Sequence, residues 1–95
     1  MDEDKMIETR VSQLASVQCE ALHIFNQNNN AYGDSFAKYG PVGVIVRLGD
    51  KIERLVNISK NGMALVNDDS IRDILIELHN YAAMAVMLLD EKKET

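Results

Sequence analysis

Four oxygen-bearing side chains fall at a spacing that could hold a hard cation: Asp50 and Glu53, three residues apart, and Glu77 and Asn80, again three apart. Residues three apart on a helix are surface neighbours. If each pair lies on one helix and the two helices pack antiparallel, the four groups converge, and Asp73, one turn before Glu77, can join them. Mg²⁺ is a cation that such a set of oxygens suits. The same spacing also suits ordinary ion pairs, Asp50 with Arg54 and Arg47 with Asp50. Lys38, Arg47, Lys51 and Arg54 are candidates for phosphate contacts, with solubility and helix ion pairing as the alternative.

Helices must position these groups. The spacing predicts a first helix over Met6 to Gln27, with Val11, Leu14, Ala15, Ala21, Leu22 and Phe25 on its apolar side, stopped by Asn28, Asn29 and Asn30. A second runs over Val44 to Lys60 on a stripe of Ile45, Leu48, Ile52, Leu55 and Val56, ending at Asn61-Gly62. The third, Asp69 to Leu89, carries Ile71, Ile74, Leu75, Leu78, Ala82, Ala85, Val86 and Leu89 on one face. Past Tyr81 that helix is apolar nearly all round, which predicts burial on more than one side. Between the first two helices, Ala31 to Gly43 holds three of the five glycines, the only proline and the aromatics Tyr32, Phe36 and Tyr39. Those rings can seal a small core or stack on a ligand's base.

Ninety-five residues with 46% hydrophobic side chains and no tryptophan make one domain, 1–95, whose core is aliphatic, with frayed tails at 1–5 and 90–95. The expected fold is all-α: an antiparallel bundle of three main helices, completed by homo-oligomerisation because three helices of these lengths leave apolar surface uncovered. A net charge of −5 argues against nucleic acid as a partner. The apolar run Ala82 to Leu89 is too short to span a membrane. One cysteine, Cys19, and an N-terminus without signal-peptide layout point to a cytoplasmic setting. His23 and His79 lack the spacing of a metal pair, Cys19 reads as a small buried hydrophobe, and Met84 and Met87 as filling between subunits.

The segment YGDSFAKYGPVGVIVRLGDKIERLVNI, followed by DSIRDILIELHNYAAMAVMLL, resembles the nucleotide modification associated domain family, found in bacteria and phages. That family is similar in turn to the all-α nucleoside triphosphate pyrophosphohydrolases of the MazG and dimeric dUTPase kind. The resemblance implies that Asp50, Glu53, Glu77 and Asn80, with Asp73 in support, hold Mg²⁺ against a triphosphate, and that Glu53 and Glu77 are catalytic. Asp at 50 and Asn at 80 depart from the Glu and Asp of the larger superfamily. Nucleotide contacts would fall to Tyr32, Asp34, Lys38, Tyr39, Arg47, Lys51 and Arg54, the tyrosines covering the base. The implied activity is conversion of a (deoxy)nucleoside triphosphate to monophosphate and pyrophosphate in a bacterial or phage-infected cell. The alternative is a non-catalytic phage-type protein that sequesters a nucleotide signal, cyclic ones included.

Overall fold

Helical periodicity becomes three helices in the computed structural model, which describes residues 3–60 and 68–94, with side chains at 9–31, 33–60 and 70–92. They are α1 (Glu3–Tyr32), α2 (Gly40–Lys60) and α3 (Asp68–Glu94), with a 3₁₀ turn at Ser35–Ala37 between the first two. No strand occurs among the described residues. The all-α reading holds. The expected turn at Asn61-Gly62 and the link that follows it lie outside the described residues.

Helix α1 passes straight through Asn28, Asn29 and Asn30, where side-chain chemistry predicts a stop. Asparagine costs a helix only about 0.7 kcal/mol relative to alanine. What ends α1 is Gly33, at φ +62°, whose N–H bonds the carbonyl of Asn29 at 2.7 Å, closing a left-handed C-terminal cap. Gly40, at φ +71°, turns the chain again, and Pro41 follows in the first turn of α2, where its missing N–H costs nothing. The long connection expected over Ala31 to Gly43 therefore shrinks to Gly33–Tyr39, with a 3₁₀ turn inside it. At the outer ends, α1 already runs from Glu3 and α3 continues to Glu94, since Glu and Lys are good helix formers.

Helix α3 is the central element, with α2 packed along it and α1 meeting it more sparingly. Val44, 1% exposed, packs with Ala85 and Leu88, and Phe36, Ala37, Tyr81 and Met84 close around them. The contacts of residue 44 with 85 and 88, and of residue 51 with 77, run in opposite directions along the chain, so α2 and α3 are antiparallel. On its other side α3 receives α1 at Ala21, which is fully buried and small enough for close approach. There the Asn80 side-chain amide donates to the Ala21 carbonyl at 3.0 Å. Arg72 reaches Glu20 with both guanidinium nitrogens, at 2.5 and 2.9 Å.

The predicted stripes need correcting. On α2 the inward row is Val44, Leu48, Lys51, Leu55 and Ile58, while Ile45, Ile52 and Val56 are exposed. On α3, Ile74 and Ala85 are buried, whereas Leu75, Ala82, Val86 and Leu89 point out. Each helix carries two apolar rows about one residue apart in phase, and one stripe drawn from sequence merges them. Among the described residues only the inner row is packed against a partner helix. No described helix is long and apolar enough to cross a membrane.

Candidate functional site

Where the end of α1, the 3₁₀ turn and the first turns of α2 come together over α3, they enclose a pocket of about 700 Å³. Its aromatic walls are Phe25, Phe36, Tyr39 and Tyr81, with Met84 among them. Phe25 and Phe36 meet edge to face, ring centres 6.1 Å apart at 73°, which joins α1 to the 3₁₀ turn. Gly43 gives Tyr39 its place. A Cβ at position 43 would stand 2.7 Å from the Tyr39 Cβ, closer than packed carbons come, so the bare backbone lets that ring lie over the pocket's edge.

Among the described residues two cations line the pocket, Lys38 and Arg47, and no carboxylate does. Lys38 Nζ stands 5.4 Å from the centre of the Tyr39 ring. Arg47 forms no ion pair with any described carboxylate, so its expected pairing with Asp50 is not made. Ion pairs between described residues join Lys51 with Glu77 and Arg72 with Glu20. Two cations without a carboxylate partner among the described residues, in a partly enclosed and aromatic setting, are groups able to hold an anion.

Asp34, Lys51 and Arg54 are not among the residues that line this pocket. Asp34 is exposed at the head of the 3₁₀ turn, where its backbone carbonyl accepts from Ala37 N–H. Arg54 is exposed on α2, and the Tyr32 side chain is outside the described residues. Lys51 stands behind the pocket wall, its Nζ 5.9 Å from the centre of the Tyr81 ring and 2.5 Å from Glu77 Oε2. That oxygen is buried beneath the ammonium, in an ion pair that lacks hydrogen-bond alignment.

The proposed Mg²⁺ ligands do not assemble within one chain. Among the described residues no three His, Cys, Asp or Glu side chains lie together in a way that could hold a metal ion. Asp50 and Glu53 are exposed on α2 and Asp73 on α3, while Glu77 is held by Lys51. Asn80 is 9% exposed and turned toward α1: its Nδ2 serves Ala21, and its Oδ1 lies 3.1 Å from His79 Nδ1. This arrangement does not fit a Mg²⁺ ion held by the four residues. It also gives Asn80 a structural task, since an ionised aspartate has no proton to donate to a carbonyl.

Asn28, Asn29, Ser35 and Tyr81 belong to the pocket and escape a reading by charge and spacing. The three asparagines signal a turn, which hides that two of them face a cavity. Tyr81 sits in an apolar run that reads as core. Cys19 is exposed, not a buried hydrophobe, because the part of α1 that carries it meets no cover. Met84, expected between subunits, lines the pocket, while Met87 is exposed.

Fold and pocket together define a small all-α domain with an aromatic-walled cavity that Lys38 and Arg47 line. Residues 28–89 match the family described as nucleotide modification associated domain 1, and the chain belongs to that family. The match takes in every pocket residue except Phe25. No curated protein and no solved structure matches the chain.

Proposed function

We propose that this protein binds a nucleoside phosphate in the pocket, with the phosphates at Lys38 and Arg47 and the base against the aromatic walls. The observation that carries the reading is the cavity's charge: two cations, neither matched by a carboxylate among the described residues, in a protein of net charge −5. In this reading the ligand supplies the negative charge the pocket lacks. Retention without turnover follows from these groups alone, as in a protein that sequesters a nucleotide.

Turnover to monophosphate and pyrophosphate is the second reading, and the position of Glu77 favours it. Its carboxylate pairs with Lys51, whose Nζ stands 5.9 Å from the centre of the pocket-lining Tyr81 ring, so one candidate catalytic group lies one side chain removed from the pocket wall.

Assembly with a second copy of the chain belongs to the same proposal. The outward rows Ile45, Ile52 and Val56 on α2, and Leu75, Ala82, Val86 and Leu89 on α3, supply an apolar surface of the kind that subunits bury.

The test is a panel of ribo- and deoxynucleoside triphosphates and cyclic nucleotides, with and without Mg²⁺, read by thermal shift, calorimetry and mass spectrometry. A ligand selective for the folded state raises Tm. Arg47→Ala should then weaken binding by about tenfold or more, the worth of a charge-assisted hydrogen bond. A panel in which nothing raises Tm overturns the proposal. Pyrophosphate released only with Mg²⁺, and abolished in Glu77→Gln, selects the hydrolytic reading over retention.

A further inference from the structure

Phosphate recognition and stacking leave the pocket's two asparagines without a task. Asn28 and Asn29 stand near the end of α1 and are among the residues that line the cavity, and both carry side-chain amides. Neither side chain hydrogen-bonds another described residue. A primary amide carries two donors and an acceptor with two lone pairs. Two residues with such groups in the lining of one cavity suit a ligand edge with alternating donors and acceptors.

Aromatic walls hold any base, since every base has a π-face, and cations hold any phosphate. Neither distinguishes one nucleotide from another. An asparagine amide does, because it pairs its N–H and C=O side by side with an acceptor and a donor on the base edge, in an order that differs between bases. We infer that Asn28 and Asn29 read the base edge, making the pocket selective among nucleotides that carry the same phosphates. This rests on the nucleotide-binding reading above. The ligand class is a nucleoside phosphate whose base presents an unsubstituted donor and acceptor side by side.

Substitution at these positions leaves the scaffold in place. Alanine is the better helix former, and the bond that caps α1 uses the backbone carbonyl of Asn29, which every variant retains.

The experiment compares affinities of the full chain for adenosine, guanosine, cytidine and uridine triphosphates, with inorganic triphosphate as a probe without a base. In the parent, the best base should exceed the worst by about tenfold or more. In the Asn28→Ala, Asn29→Ala double variant the spread should fall to about threefold or less, near the reach of stacking alone. Affinity for inorganic triphosphate should be unchanged. Discrimination that persists in the double variant overturns the inference, as does a parent that binds all four bases equally. An equal loss of inorganic triphosphate would assign the pair a structural role and overturn it too. If neither nucleotides nor inorganic triphosphate bind, the nucleotide-binding reading falls with it, whereas triphosphate binding without base preference removes this inference alone.

Discussion

Asn80→Asp changes one atom group at the point where α1 is held to α3. The side-chain nitrogen now donates to the Ala21 carbonyl at 3.0 Å, with Ala21 fully buried and Asn80 nearly so. Replacing that nitrogen by a carboxylate oxygen removes the hydrogen bond and sets two oxygens against each other away from water. Losing the bond and leaving the facing groups unsatisfied costs about 2–4 kcal/mol at neutral pH. For a chain of this length that is a drop in Tm of about 10–25 °C. The loss depends on pH. A protonated carboxyl could still donate to the Ala21 carbonyl, so the carboxyl at position 80 has a pKa raised by folding. The folded state then holds a proton that the unfolded chain releases above about pH 4. The deficit is therefore smallest in acid and grows as pH rises toward the raised pKa. Thermal melting of parent and variant side by side, from acid to neutral pH, measures it. A variant that melts with the parent at pH 7, or one whose lost stability Mg²⁺ restores, would refute the structural role given to Asn80 and return the position to the metal ligands.

Glu20 supplies a second, opposite pH signature. The hydrogen bond from Arg72 is the main cause that lowers its pKa below the ordinary 4.5, with some desolvation opposing and the Arg72 charge adding to the effect. Its contribution is present above that ordinary value and is lost as pH falls through the lowered one. The Tm difference between parent and Glu20→Gln should accordingly favour the parent at neutral pH and close in acid; a difference independent of pH would show that the pair does not hold α1. The outward apolar rows predict that the chain sediments as a dimer or larger, and that Val86→Glu shifts it toward monomer. A parent that sediments as a monomer at all concentrations removes the assembly proposal.

The three helices were legible because their apolar period is strong, and Pro41 and the glycines at 33 and 40 mark the turns. The face of each helix was not. An α3 packed between two others has buried positions on two sides, and an outward apolar row adds a third, so periodicity alone cannot choose among them. Lys51 shows the difficulty from the other direction: its charge reads as surface, yet it occupies the inner row of α2 because Glu77 meets it there. The cations at 38 and 47 were found by charge. Asn28 and Asn29 were not, since the turn signal that asparagine carries outweighed any sign of a cavity. The metal set shows how far spacing reaches: residues three apart do share a helix surface, but Asn80 turned toward α1 and Glu77 toward Lys51.

Helix α1 has unequal halves. Every described side chain from Thr9 to Cys19 is exposed, whereas Glu20, Ala21 and Phe25 are tied to α3 and the 3₁₀ turn. A free-standing helix of about 15 residues is only marginally stable in water. The outer half thus unfolds on its own schedule, as a local opening with a free energy well below that of the whole molecule. In amide hydrogen exchange, residues before Glu20 would trade protons early while those around Ala21 wait for the entire chain. Anything that docks on the outer half slows the first set without touching the second, so the exchange profile of one helix reads out whether that surface is covered.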